Sequence, residues 1–214
     1  MLPQMQLSKS GFSQIKGLQF FKLLGSGSKG GLSIIPDLTT FAILCVWENE
    51  DYADNFFNHA ALFEQFRSHS AYNWTVFMHA SNARGEWSDK TPFTDFSETK
   101  GGLIGVITRA TIKWNHVPRF WMNVPRVRHM LNKSPGLIFS IGIGEYPLFM
   151  QVTFSLWEDR SHMARFAYRS DPHLNVVHKT RQHKWFREEL FANFTPVKTL
   201  GTWKGYDPLE KYLH

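Results

Sequence analysis

The histidines are the residues of this 214-residue chain best suited to chemistry, and there are ten of them. His173, His178 and His183 follow one another at intervals of five residues. On a helix each such step turns the side chain by about 140°, so the three cannot share one face or form one cluster. His173 stands apart because Pro172 suits the first turn of a helix, and it is our candidate metal ligand, with a helix-capping or core role as the alternative. The other candidates are His59, His69 and His116.

Two arginines lie close to His173 in the sequence, Arg169 and Arg181. A guanidinium group can hold a carboxylate in bidentate geometry, so either arginine could bind an anionic group of a ligand. The alternative is an ion pair with Asp171 or Glu188.

Trp185 follows on the same stretch and could form one wall of a ligand pocket. Its counterpart Trp74 in the first half of the chain favours a structural role instead. Glu188 and Glu189 are predicted to lie on a helix, where paired acids usually form a solvated face, and we assign them no catalytic role.

The composition indicates a folded protein with an unusually aromatic interior. Hydrophobic residues make up 43% of the chain, enough to bury a core in one or two domains. The 19 Phe and 8 Trp supply large flat surfaces. Such surfaces suit either a dense core or a pocket for a flat apolar ligand, and composition does not choose between them.

The formal charge of +6 favours anionic partners, such as phospholipid headgroups or acidic electron carriers. Because the cations are scattered, we predict no binding to nucleic acid. Their densest group is expected to form a solvated helix face and comprises Arg119, Arg126, Arg128 and Lys133.

The single cysteine, Cys45, excludes an internal disulfide and a cage of several thiolates around a metal. Residues 1–14 do not resemble a secretory signal, and no stretch reaches the roughly 18 apolar residues of a membrane span. We therefore expect a cytoplasmic protein that is soluble or bound peripherally to a membrane.

Tryptophans recur at nearly constant spacing in two halves of the chain. The pairs are separated by 110, 111 and 116 residues and are Trp47 with Trp157, Trp74 with Trp185, and Trp87 with Trp203. Gly17-Leu18 likewise matches Gly136-Leu137. The strands are predicted at 17–24, 41–47, 71–87, 103–112, 136–143, 149–157 and 197–203, and the helices at 48–70, 118–133, from 158, and from 172 to about 194.

This order predicts an α+β fold of two tandem ferredoxin-like units, each tending toward strand, helix, strand, strand, helix, strand. The units are assigned to residues 1–100 and 101–214, and the second carries the candidate site. The first lacks an opening strand, so we expect either that the protein starts upstream of Met1 or that a neighbouring element covers the exposed edge.

Several segments taken together resemble the spheroidene monooxygenases of carotenoid biosynthesis. Two of them are Pro135-Gly-Leu-Ile-Phe-Ser-Ile-Gly-Ile-Gly-Glu145 and Glu188-Glu-Leu-Phe191. The resemblance runs from about Gly17 to Pro208. Its other segments are 17–27, 108–112, 153–157, 166–169 with His173, 180–181, Trp185 and 201–203.

The resemblance implies a dimeric α+β barrel fold and an oxygenase that uses haem b, molecular oxygen and a ferredoxin-type electron donor. It further implies that an acyclic carotenoid becomes a ketone through two successive hydroxylations at one carbon. His173 falls on the family's histidine position, and one imidazole is enough to hold a haem iron. Arg169 and Arg181 would then pair with the haem propionates and Trp185 would line the pocket. A homo-oligomer and contact with a membrane surface are further expectations.

Two other functions fit the same residues. One is a non-catalytic protein that binds haem or a flat apolar molecule, which would bind its ligand without turnover. The other is a cofactor-free oxygenase of the same barrel fold, which would turn over substrate without bound iron.

Overall fold

A computed structural model describes residues 11–98, 101–146, 148–169 and 184–213, and for Tyr168 and Arg169 it describes the backbone alone. Within these ranges the chain is α+β, as predicted. The strands are β1 (Leu18–Gly27), β2 (Pro36–Trp47), β3 (Trp74–Gly85), β4 (Ile104–Ile112), β5 (Leu137–Tyr146), β6 (Met150–Trp157) and β7 (Phe186–Gly201). The helices are α1 (Glu50–His59), α2 (Ala61–Ser68), α3 (Val117–Asn132) and α4 (Arg160–Arg169), with a 3-10 turn at Trp114–His116.

All the strands of the described ranges join one antiparallel sheet in the order β2-β1-β5-β6-β4-β7-β3. From β4 to β7 the elements follow the order strand, helix, strand, strand, helix, strand. The described part of the first half supplies three strands and two helices. The division into two tandem ferredoxin-like units and the dimeric barrel stay predictions. None of the described helices is long and apolar enough to cross a membrane.

The two faces of the sheet carry different cores, because successive side chains on a strand point to opposite faces. On β4, Ile107 belongs to a large aromatic-rich cluster that also includes Leu156 and Phe194. Its neighbours Ile104 and Val106 belong to a second cluster, which reaches α3 and α4. We call this second side the helix face of the sheet.

In each half of the chain, a glycine turn holds the chain at the point where a strand ends in a tryptophan and a helix follows. In the second half the Glu158 N–H donates to the Gly136 carbonyl at 2.8 Å, and Leu137 lies opposite Trp157. Gly136 has φ +74°, and a Cβ there would overlap the ring of His162. Only glycine fits both demands without strain.

The first half repeats this arrangement. The Glu48 N–H donates to the Gly17 carbonyl at 2.8 Å, and Leu18 lies opposite Trp47. Gly17 has φ +76°, and the ring against it is that of Tyr52. The tryptophan spacing in the sequence therefore corresponds to a shared local structure.

The predicted helix from 172 to about 194 is wrong for residues 186–194, which belong to the 16-residue strand β7. The segment pairs with β4 on one side and β3 on the other, and this double ladder outweighs any helical preference. Leu190, Ala192 and Phe194 point to the aromatic-rich cluster, and Phe191 between them points to the helix face, which is the two-residue period of a strand. Pro196 is accommodated where the register with β3 shifts. Glu188 and Glu189 therefore lie on opposite faces of a strand and not on a helix.

Candidate active site

The residues predicted for the site lie around one connection, from the end of α4 to the start of β7. His173 and Arg181 fall outside the described residues. Arg169 is the last residue of α4, and its side chain also lies outside the description. Trp185 immediately precedes β7 and is described in full. The structure therefore places the elements that enter and leave the predicted ligand segment.

Asp159 fixes the start of α4. Its carboxylate accepts hydrogen bonds from the Ser161 hydroxyl at 2.6 Å and the His162 N–H at 2.8 Å, and it lies 2.9 Å from His162 Nδ1. These hydrogen bonds, of which the one from Ser161 has the largest effect, hold the pKa of Asp159 well below its usual range. Met163 and Phe166 then turn toward the helix face and pack in its cluster. The direction of α4 is set by this cap and this packing.

Trp185 is buried at the opposite end of that connection. Its ring stacks on His116 with 5.7 Å between the ring centres, and its carbonyl accepts a hydrogen bond from the Lys113 N–H. Only 3% of Trp185 is exposed, and its Nε1 has no hydrogen-bond partner among the described residues. A buried indole N–H normally finds an acceptor, so this atom marks a place for one.

Among the residues that the structure describes, none covers the middle of the helix face. Thr108 is exposed although β4 is paired on both sides. Thr153 of β6 and Phe191 of β7 lie directly opposite it on the same face, and both are only half-buried. We call Thr108, Thr153 and Phe191 the shelf. Three strands spaced about 4.8 Å apart make it a flat surface about 10 Å wide.

A cavity of about 340 Å³ lies on the helix side between α3 and α4. Met130 and Phe166 form apolar parts of its lining. Its four basic side chains are His129, Lys133, His162 and Arg165. Lys133 and Arg165 are cations and attract anions, so we call this cavity the basic cleft. The backbone of Arg169 lies one turn beyond Arg165 on α4.

The first half contains an equivalent cavity of about 200 Å³ beside α1. Tyr52 and Asn55 line it at the positions that His162 and Arg165 hold in the second half, at the same separation of 110 residues. The repeat can therefore form this cavity without four basic side chains. Their presence in the second half is a property of that half alone.

Comparison with known proteins places this chain among relatives that share its whole length. The spheroidene monooxygenase of Rhodobacter capsulatus is 35% identical over 212 residues, which are 97% of this chain and 88% of that protein. The chain belongs to the spheroidene monooxygenase family. The spheroidene monooxygenase of Cereibacter sphaeroides is 33% identical over 99% of this chain, and the chain spans 66% of that protein's length. No protein-family model matches the chain.

The solved structure of an aldoxime dehydratase is similar to this member of the spheroidene monooxygenase family with a TM-score of 0.58. The match covers 91% of this chain and 76% of that one at 12% sequence identity. At this identity the likeness concerns the fold alone.

The sequence did not predict one buried ion pair in this spheroidene monooxygenase family member, between Arg109 of β4 and Glu188 of β7. The Arg109 side chain is fully buried, and its guanidinium lies 5.7 Å from the centre of the Trp87 ring. Burial alone would raise the pKa of Glu188, but the Asp89 N–H, the Arg109 charge and the Ser88 N–H together lower it. Glu188 thus pairs with Arg109 among the described residues, where Arg169 and Arg181 had been considered as partners.

A second polar group completes this end of the sheet. Trp87 donates through Nε1 to Glu145 at 2.6 Å, and Lys22 donates to the other oxygen of Glu145 at 2.7 Å. The two ion pairs lie on the face opposite the helices, so they stabilise the sheet under the shelf and do not line it. The sequence signal was a lone arginine at an inward position of the β-branched strand 103–112.

Proposed function

We propose that this chain is a haem-dependent monooxygenase that converts an acyclic carotenoid, spheroidene or a close analogue, to a ketone. The observation that carries the reaction is membership of the spheroidene monooxygenase family. Electrons would come from a ferredoxin-type donor. Each hydroxylation takes one O₂, two electrons and two protons, inserts one oxygen atom into a C–H bond and releases the other as water. A second hydroxylation of the same carbon gives a geminal diol, which loses water to form the ketone.

The described residues fit haem b in their donor chemistry. The shelf offers an open flat surface beside apolar packing, which suits a planar apolar macrocycle. Lys133 and Arg165 of the basic cleft add positive charge beside this surface, and the Nε1 of buried Trp185, which has no partner among the described residues, supplies a donor. Haem, when bound, supplies oxygen activation.

Because haem would supply oxygen activation, the residues of this chain would bind haem and position the substrate. His173 would hold the iron, and Arg169 and Arg181 would hold the propionates. Trp185, with His116 stacked on it, would close one end of the pocket against water. The large aromatic surfaces would hold the polyene in place by burial of apolar area.

His162 is the described histidine most easily mistaken for the iron ligand. Its imidazole faces the Asp159 carboxylate, an arrangement that metal-binding histidines often have. However, it packs against Gly136 as Tyr52 packs against Gly17 in the first half. We therefore assign it a structural role and keep His173 as the ligand.

The test is a visible spectrum of the purified protein titrated with haem. The wild type and His162→Ala are expected to give the same Soret band, whereas His173→Ala shifts or loses it. His129→Ala is a second control from the basic cleft. An unchanged band in His173→Ala, or loss of the band in His162→Ala alone, would contradict the ligand assignment.

A further inference from the structure

The strongest unassigned surface lies at the end of the sheet where β4 leads into α3. Three large apolar side chains project into solvent there: Trp114 is 78% exposed, Met122 79% and Tyr146 62%. A lone exposed apolar residue needs no explanation, but a group of them does.

Contacts between neighbouring residues bring together the elements that carry these side chains. Trp114 packs edge-on against Phe149 with 4.4 Å between ring centres. Trp121, next to Met122 on α3, donates through Nε1 to the Leu148 carbonyl at 3.2 Å. Leu148 and Phe149 belong to the β5–β6 turn that begins at Tyr146.

The segment of the sequence that carries most of the patch is basic. Between Glu98 and Glu145 the sequence contains seven Lys and Arg and no Asp or Glu. The exposed face of α3 presents Arg119, Met122 and Arg126 at helical spacing, and Lys113 stands beside Trp114. In the sheet, Glu145 and Glu188 are paired with Lys22 and Arg109 on the opposite face, and Glu189 is an exposed acid on the helix face of β7.

We infer that Trp114, Met122 and Tyr146, together with Lys113, Arg119 and Arg126, dock the protein on an anionic lipid surface. Trp and Tyr favour the boundary between headgroups and hydrocarbon, and cations beside them are attracted to anionic headgroups. Met122 would enter the apolar layer while the arginines remain among the headgroups. Protein partners of acidic character would use the cations but would not require three projecting apolar side chains.

The position of this patch gives the docking a purpose. Trp185 lies directly behind it, because its carbonyl binds the Lys113 N–H and its ring stacks on His116. Docking would therefore turn the Trp185 end of the candidate site toward the bilayer, where a long apolar polyene dissolves. This purpose rests on the proposed function, whereas the docking itself does not.

The test is co-sedimentation with vesicles of phosphatidylcholine alone or mixed with phosphatidylglycerol. The wild type is expected to bind the mixed vesicles, more weakly as salt is raised. Arg119→Ala/Arg126→Ala should weaken binding by about fivefold for each charge removed. Trp114→Ala/Met122→Ala should weaken it about tenfold or more.

Matched controls come from the opposite end of the sheet. Tyr72 is an exposed aromatic residue two positions before Trp74. Trp74 lies opposite Gly201, at the far end of β7. Lys211 is an exposed cation near the C-terminus. Tyr72→Ala and Lys211→Ala should leave vesicle binding unchanged, and thermal melts would confirm that all variants fold. The inference would be overturned if the wild type did not bind the mixed vesicles, or if the control variants lost as much binding as the patch variants. It would also be overturned if the patch variants lost binding to an acidic ferredoxin and kept their binding to vesicles.

The docking inference and the proposed reaction are tested by separate experiments, so one can be wrong while the other stands. Vesicle binding is measured without haem, donor or substrate. If the proposed reaction is wrong, the vesicle results stand; if docking is wrong, turnover of detergent-dispersed carotenoid stands.

Discussion

The guanidinium of Arg109 is a fully buried charge whose Nε and Nη2 have no hydrogen-bond partner among the described residues. Glu188 is its ionic partner, and Trp87 packs near its face. A buried cation held by one carboxylate depends strongly on that carboxylate, because removal of one member leaves an uncompensated charge in a medium of low polarity.

Glu188→Gln should therefore destabilise the protein by about 3 kcal/mol, the lower end of the range for breaking a buried pair, since Glu188 is partly exposed. The folded-state pKa of Glu188 is lowered, so its contribution is fully present above its ordinary value of 4.5 and is lost as pH falls through the folded-state pKa. The free energies of unfolding of wild type and variant should converge in acid. Urea titrations at several pH values would measure both.

Arg109→Met/Glu188→Leu is the control, because it removes both charges and keeps the volume. This double variant should be more stable than Glu188→Gln alone. A single variant as stable as the wild type would show that the pair contributes little.

Single residues were predictable where local sequence decides their place. Trp185 was considered as a pocket wall, with a structural role as the alternative; it is buried just before β7, and its place in a pocket stays a prediction. The Arg109–Glu188 pair was not predictable, since 79 residues separate the partners and only the register of β4 against β7 brings them together. The role of His173 stays a prediction because it lies outside the described residues.

At the scale of elements, the repeated glycine turn sets where α1 and α4 begin. Gly136→Ala and Gly17→Ala should each destabilise the protein by roughly 1–3 kcal/mol, because each demands a left-handed residue with a ring against it. The midpoint of denaturant unfolding would measure the effect. Gly25→Ala is the matched control, since a Cβ there meets nothing within 4 Å and its φ is not left-handed. Equal effects at Gly25 and Gly136 would refute the special role of the turn.

The elements that the sequence predicted well are those whose pattern is strong and local. The β-branched run at 103–112 is β4, and Pro118 lies in the first turn of α3 as expected. The segment 186–194 was assigned to a helix that Pro172 was expected to start and that would continue to about Phe194. The segment is a strand because it pairs with β4 on one side and β3 on the other, and the sequence of a segment does not show which strands will pair with it.

At the scale of the whole molecule, the two halves share a turn and a cavity but differ in charge. The tryptophan spacing predicted the shared structure. It did not predict the basic cleft, because the basic side chains that line it are not repeated at the corresponding positions of the first half. Divergence between halves is what one site per chain requires, and the cleft, the shelf and the predicted ligand segment all belong to the second half.

Turnover by the haem-loaded protein is the most direct test of the proposed function. The protein is incubated with spheroidene, O₂ and a reduced ferredoxin, and the products are analysed by mass spectrometry. The expected product has gained one oxygen and lost two hydrogens, and it should form only when haem, O₂ and reductant are all present. The His162→Ala variant should form it, and the His173→Ala variant should not. The same product without haem, or its absence from a protein with an intact Soret band, would contradict the proposal.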